Sequence, residues 1–202
     1  MAILKSGAQS GNPAPDARRT GRRRRAARGL AILIAACFVH EGLRAQAVNE
    51  YELKAAFLYN FAKFVEWPDD AFASAADPIS VCLLGGNPFG DLLQRTVAGK
   101  SVQGHGFSVG QISAFPSGHS CHIVFVAGES SKLLRDFEKD GRHPGVLTVG
   151  EAPDFTERGG MIGFKLEHGT VHLHINLAAV EAAQVRISSK LLSLAKIVRK
   201  SP

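Results

Sequence analysis

Three histidines near the carboxyl end are the first candidates for chemistry. His172 and His174 are two positions apart in an apolar run, so on a β-strand they lie on one face. Together with His168 they could present imidazoles to a zinc ion, but apart from the nearby Glu167 no Cys, Asp or Glu at ligand spacing accompanies them. Two histidines do not complete a zinc site. We therefore interpret them as an exposed strand face and predict no metal centre, with a zinc hydrolase as an alternative hypothesis.

Two glycine-containing segments have the appearance of phosphate-binding loops. Gly85–Gly90 follows an apolar run, but its spacing is not G-x-G-x-x-G and Pro88 removes a backbone donor. Gly99-Lys100-Ser101 resembles the end of a P-loop, yet Gln94 stands where the upstream glycine is required. The chain also has no G-x-S-x-G motif and no ordered Ser, His and Asp triad. These patterns give no positive evidence for catalysis, and we expect no cofactor.

The chain has three cysteines, Cys37, Cys82 and Cys121, and whether they form a disulfide depends on the cellular compartment. The last two lie in apolar, strand-like runs, and neighbouring strands bring Cα atoms within disulfide reach. In an oxidising compartment a Cys82–Cys121 bridge would persist. Two free buried thiols, which behave as small hydrophobic groups, are the alternative.

The amino-terminal segment has the order of a secretory signal peptide. A basic stretch at 18–28 precedes an apolar stretch at 30–39, and Ala45-Gln46-Ala47 is a small-x-small cleavage site. We expect export of the chain with cleavage after Ala47, which leaves one domain at 48–202. The segment 34–37, IAAC, resembles a lipoprotein cleavage box, so lipid anchoring at Cys37 is a second possibility.

The excess of positive charge belongs to that segment. The 202-residue chain has a formal net charge of +6, but residues 1–47 contain nine of its 24 basic residues and two of its 18 acidic ones. The remaining 15 basic and 16 acidic residues give 48–202 a net charge of −1. We therefore expect no nucleic-acid binding by the folded domain.

The order of apolar runs predicts helices alternating with strands. Uninterrupted apolar strands between helices indicate a parallel sheet covered on both faces. The predicted fold is a single compact, Rossmann-like α/β domain with a carboxyl-terminal hairpin and helices. The predicted helices are 49–66, 89–97, 130–139, 177–183 and 189–199, and the predicted strands are 79–84, 107–112, 121–126, 146–149, 161–167 and 171–176.

The first predicted helix is apolar on two sides. Leu53, Phe57, Phe61 and Phe64 share one face at 100° per residue, with Asn60 and Trp67 inside or beside that stripe and Lys63 at its edge. Leu58 and Val65 lie on a second face. Such a helix is buried on two sides or contacts a ligand or another protein.

Several segments together resemble the YfiR family of periplasmic regulators. The opening signature is 51–68, YELKAAFLYNFAKFVEWP, and the ending is Ile175-Asn176-Leu177 followed by 186–195, RISSKLLSLA. Gly85–Gly90, Gly99-Lys100 and 145–149, GVLTV, fit between them, so the resemblance spans 50–199.

The resemblance implies a periplasmic α/β protein without enzymatic activity. Such proteins bind and restrain the periplasmic part of a membrane diguanylate cyclase, an outer-membrane-associated partner relieves that restraint, and cyclic-di-GMP output and biofilm formation rise. Cys82 and Cys121 stand where a family disulfide is expected. A second bridge of some relatives has no cysteines here, which argues against redox sensing.

These observations lead to a regulatory binding protein as the main hypothesis. We expect its partner surface to contain Asn60, Lys63, Trp67, Asn176 and Arg186. A homodimer is a further expectation. The alternative function is a periplasmic small-molecule binding module for a sensor kinase or transporter, with its site at the carboxyl ends of the strands near Gly85–Gly90.

Overall fold

The computed structural model describes residues 50–116, 120–128 and 144–198. Those residues form a seven-stranded sheet of order β3-β2-β4-β5-β6-β7-β9 and a separate two-stranded ribbon, β1–β8. The strands are β1 Val65–Glu66, β2 Ile79–Leu84, β3 Phe107–Ile112, β4 Ile123–Val126, β5 Leu147–Gly150, β6 Ile162–Glu167, β7 Thr170–Asn176, β8 Arg186–Ile187 and β9 Ala195–Val198. The helices are α1 over 50–64, α2 Leu92–Val97, α3 Leu177–Ala182 and α4 Ser189–Leu192, with a 3₁₀ turn at Asp69–Ala71.

The sheet is mostly parallel and confirms the predicted α/β fold. Strands β3, β2, β4, β5 and β6 are parallel neighbours, and β6 and β7 form the predicted antiparallel hairpin around His168 and Gly169. Alternate residues of the central strands are buried on opposite faces, since Val81 and Leu83 join the cluster under α1 while Cys82 and Leu84 join a second cluster. Both faces of the central strands are therefore apolar, as a doubly covered sheet requires.

The buried face of α1 is not centred on the predicted phenylalanine stripe. Its fully buried apolar residues are Ala55, Leu58, Phe61 and Ala62, and the buried Val65 follows in β1, whereas Leu53 is 40% exposed. Phe57 and Phe64 are half-buried and pack at the border of the core. The second predicted face, that of Leu58 and Val65, is the one that meets the sheet, because the small side chains of Ala55 and Ala62 allow close approach.

The last predicted helix is wrong. The helix that follows Ser188 ends at Leu192, and Ala195–Val198 form β9, which pairs in parallel with Leu173–Asn176 of β7. Alternation places Ala195 and Ile197 against the core, so burial of one strand face replaces the helix. Ser188 occupies the N-cap position, but its side chain makes no capping hydrogen bond. The predicted helix at 130–139 lies outside the described residues.

Phe155 closes the second face of the sheet. Its side chain is fully buried and joins the cluster of Cys82, Cys121 and Val124. The ring fits between two glycines, since a Cβ built on Gly150 or Gly160 would lie 2.5 or 2.2 Å from its nearest ring atom. A glycine at each position is therefore needed for the ring to pack.

We expect Gly160→Ala to lower the free energy of unfolding by about 3 kcal/mol, the upper range for overpacking a core. The added methyl group meets a buried ring that has no space to move into. Gly110→Ala is the matched control because a Cβ there meets nothing within 4 Å, and neither glycine has a positive φ. Urea unfolding of the two variants measures the difference, and equal midpoints would contradict this role of Phe155.

Candidate functional site

The carboxyl edge of the parallel strands is the place where open α/β sheets bind ligands. β3 lies on one side of β2 and β4 lies on the other side. The direction in which successive strands are added to the sheet therefore reverses between β2 and β4. In this protein the carboxylate of Glu151 occupies the carboxyl edge of the sheet. Glu151, which directly follows β5, accepts a 2.7 Å hydrogen bond from the backbone N–H of Gly128, just after β4. Glu151 thus takes a backbone donor that an anionic ligand would use.

Lys54 of α1 is a nearly buried cation that contacts the same carboxylate, Glu151. It is 4% exposed, and its Nζ lies 2.6 Å from Glu151 Oε2 and 2.5 Å from Glu50 Oε1. Burial opposes the charge of Lys54, but hydrogen bonds to Glu151 and Glu50 outweigh it, so the pKa of Lys54 is above its usual value. Tyr51 donates a 3.3 Å hydrogen bond to Glu151, and burial together with that carboxylate raises the pKa of Tyr51.

The Gly85–Gly90 segment is the predicted strand-to-helix turn. Asn87 accepts a hydrogen bond from the Phe89 N–H and donates one to the Gly90 carbonyl. The Phe89 ring packs edge-on against Tyr51 at 5.4 Å and against Phe125 at 5.0 Å. The first turn of α1 therefore covers this loop.

Three of the predicted partner-binding residues meet around the β1–β8 ribbon. Glu66 pairs with Arg186 across the ribbon, and Trp67 follows Glu66 directly. Lys63 lies in the last turn of α1, is exposed, and holds its Nζ 4.3 Å from the centre of the Tyr59 ring. Arg186 is exposed and Trp67 is half-buried, so a cationic and aromatic surface forms at this end of α1. Asn60, one turn earlier, is half-buried.

Asn176 is placed differently from the other four. It is 4% exposed and is the N-cap residue of α3, where its Oδ1 accepts from the Ala179 N–H. Its Nδ2 donates to the Thr156 carbonyl at 2.9 Å. Both ends of the amide are engaged, which gives Asn176 a structural role in joining β7, α3 and the loop before β6.

A groove of about 690 Å³ lies beside Trp67, and sequence reasoning did not find it. The Phe72 ring stacks between His105 and His122, with ring centres 4.0 and 4.1 Å away. Trp67 packs edge-on against Phe72 and donates a hydrogen bond from Nε1 to the His122 carbonyl. The groove is lined by Glu66, Trp67, Pro68, Phe72, Ala73, Ser74, Ala75, Gln103 and His105.

This aromatic stack had no signal in the sequence. Phe72, His105 and His122 belong to three separate segments, each with an ordinary local pattern. Both ring nitrogens of His122 lie at 3.1 Å from backbone atoms, accepting from the Ser80 N–H through Nδ1 and donating to the Ala71 carbonyl through Nε2. His122 is therefore a neutral, structural histidine that supports the floor of the groove.

The histidines of β7 share a face, as predicted. The prediction of an exposed face is correct for His172 but wrong for His174, which is 5% exposed because β9 pairs alongside β7 at that position. Among residues 50–116, 120–128 and 144–198, no group of three or more His, Cys, Asp or Glu side chains is arranged to hold a metal ion. Within the same residues, no helix combines the length and apolar character needed to cross a bilayer.

The predicted cysteine pair is bonded. Cys82 on β2 and Cys121, just before β4, form a disulfide with a Cα–Cα distance of 5.9 Å. Both residues are buried in the cluster around Phe155. The pairing follows from the adjacency of β2 and β4, because Cys121 immediately precedes the strand that lies beside Cys82.

Comparison with known proteins gives one family. No curated protein matches the chain. The model of the YfiR/HmsC-like family matches residues 51–196, which include α1, the whole sheet apart from the last residues of β9, the closed carboxyl edge and the ribbon. This match spans well over half of the sequence, and the chain therefore belongs to the YfiR/HmsC-like family.

Proposed function

We propose that this protein is a non-enzymatic periplasmic regulator that binds and restrains the periplasmic sensor part of a membrane diguanylate cyclase. The observation that carries the proposal is membership of the YfiR/HmsC-like family over 51–196. Binding one state of the sensor more tightly than the other shifts the cyclase toward that state without any chemical step. Cyclic-di-GMP output and biofilm formation rise when the regulator is released, and an outer-membrane-associated partner would supply that release.

The surface we propose for this contact is the one around the β1–β8 ribbon. Trp67 and Arg186 are residue types that dominate binding energy at protein interfaces. Lys63 adds a second exposed cation, and Asn60 lies one turn away on α1. Asn176 contributes by fixing α3, which leads into β8, so its effect on binding is indirect.

We expect Lys63→Glu/Arg186→Glu to abolish recovery of a membrane sensor by the purified mature protein. Reversing two exposed charges places like charges opposite each other in the complex, which costs several kcal/mol. The readout is a pull-down from detergent-solubilised membranes of the source cell, with captured proteins identified by mass spectrometry. Arg95→Glu, an exposed arginine on α2, is the control for a charge change elsewhere.

The outcomes of this pull-down separate two claims. Failure of the wild-type protein to recover any membrane sensor would contradict the regulatory function. Recovery by the wild type and equally by the Lys63→Glu/Arg186→Glu variant would reject only the ribbon surface.

The amino-terminal pattern supports export to the periplasm, and we propose processing after Ala47 to give a mature domain of 48–202. The first residue of the protein recovered from the periplasm decides this by amino-terminal sequencing. A mature chain that begins at a lipid-modified Cys37 would replace the soluble form by a lipoprotein. An unprocessed chain in the cytosol would contradict export.

A further inference from the structure

His174 is a buried imidazole with an unusual set of neighbours. It is 5% exposed, and its Nδ1 is buried without a hydrogen-bond partner. A neutral imidazole needs one acceptor for its single N–H, whereas the charged ring carries two N–H groups that both need acceptors. The Nδ1 side of His174 has none, so the surroundings suit the neutral ring and penalise the charged one.

Lysines flank His174 on both neighbouring strands. Lys196 of β9 lies directly opposite His174 in the parallel register. Lys165 of β6 lies opposite His172, one pair along on the same face. A proton on His174 would place a third positive charge between these two lysines.

The acidic groups on this face neutralise the charge of Lys165 but not that of Lys196. Glu157, in the loop before β6, pairs with Lys165 at 3.5 Å, and Glu167 lies farther along β6. Among the described residues, no carboxylate lies within ion-pair distance of Lys196. Burial, followed by the charges of Lys165 and Lys196, lowers the pKa of His174, and the contributions of Glu167 and Glu157 are smaller.

Of the two strands beside β7, β9, which carries Lys196, is held more weakly than β6. β6 is joined to β7 by a hairpin with six paired positions, whereas β9 pairs at four positions and lies at the edge of the sheet. β9 also covers apolar surface, because Ala195 and Ile197 pack against the core on its other face. Repulsion at His174 would therefore loosen β9 before it disturbs β6.

We propose that His174 and Lys196 form an acid-sensitive latch, in which protonation of His174 in a mildly acidic medium releases β9 from β7. Release exposes the unpaired backbone edge of β7, the kind of edge to which an extended segment of another protein can add as a strand. The latch does not depend on the identity of a binding partner. It gives the protein a response to external pH that is separate from the disulfide and from the ribbon surface.

The direction of the effect follows from the two pKa values. The pKa of His174 is lower in the folded state than its ordinary value near 6.5, so below that value the unfolded chain binds more protons. The contribution of His174 to stability is therefore complete above about pH 6.5 and is lost as the pH falls toward the folded pKa. Local opening of β9 costs less free energy than global unfolding, so it is the expected route by which the protein takes up this proton.

Hydrogen exchange of the β9 amides tests the latch at about pH 7.5 and about pH 5, after correction for the intrinsic exchange rate. We expect protection at Ala195–Val198 to fall several-fold in acid in the wild-type protein. His174→Phe, a non-titrating ring of similar shape, should keep the same protection at both pH values. His172→Gln is the control on the same face and should behave as wild type, because His172 is already exposed.

Unchanged protection in the wild type, or an equal loss in His174→Phe, would overturn the proposal. Should His174→Phe fail to fold, the imidazole of the wild-type protein can be titrated by NMR. A pKa of His174 at or above that of His172 would also overturn the latch. Lys196→Gln should raise the His174 pKa, since it removes the opposing cation.

Discussion

Replacement of both bonded cysteines, Cys82→Ala/Cys121→Ala, is expected to lower the free energy of unfolding by about 4 kcal/mol. The bond closes 39 positions of chain, and the entropy that it removes from the unfolded state grows with the logarithm of that length. For a domain of this size the melting temperature should fall by about 10 °C. Thermal and urea unfolding of the variant beside the wild type measure the change.

Chemical reduction provides the control for this prediction. The wild-type protein unfolded in the presence of a thiol reductant should match the double variant, because both lack the cross-link while only one lacks the sulfur atoms. A midpoint of the double variant equal to that of the oxidised wild type would show that the bridge contributes nothing. A midpoint well below that of the reduced wild type would assign the loss to packing around Phe155 and not to the cross-link.

Glu151→Ala is expected to cost about 3 kcal/mol, because it removes one of the two carboxylates that neutralise a nearly buried lysine. Lys54 would keep Glu50 but lose the 2.6 Å contact to Glu151. The Gly128 N–H would also lose its acceptor. Urea unfolding at neutral pH is the measurement, with Glu52→Ala, an exposed acid on the same helix, as the control that should change little.

A double variant separates the buried charge from ordinary packing. Lys54→Met/Glu151→Met removes both charges together, and replacement of a buried pair by apolar groups is often close to neutral. It should therefore be more stable than Glu151→Ala alone. Equal stability of the two variants would indicate that Glu151 acts mainly through its bond to Gly128, which both variants lack.

The pH dependence that Lys54 contributes lies above the neutral range. The pKa of Lys54 is above its ordinary value, so its stabilising contribution is complete at neutral pH. That contribution is lost only as the pH rises through the folded pKa. Acid sensitivity near pH 6.5 is thus expected from His174 and not from Lys54.

Sequence alone determined elements that leave a local signal in a short run of residues. The strands Ile79–Leu84 and Phe107–Ile112 were predicted to the residue, and the hairpin turn at His168 and Gly169 was placed correctly. The almost fully buried β2 leaves a nearly unbroken apolar run, and a turn that needs positive φ selects its residues. Burial does not explain the correct bounds of β3, since its residues are half-buried or exposed. The bridge was predicted from the apolar runs around Cys82 and Cys121, with two free thiols as the alternative, and the family from the signatures at each end of the domain.

Tertiary structure decided what depends on residues distant in sequence. Ala195–Val198 became a strand because β7 offers it a free edge, although the local sequence favoured continuation of a helix. Lys54 is buried beside two counter-charges, the nearby Glu50 and Glu151, which lies 97 residues away in the sequence. The groove beside Trp67 and the surroundings of His174 likewise arise from segments brought together by the sheet, and pairing, burial and charge neutralisation between distant segments leave no periodic pattern in a single sequence.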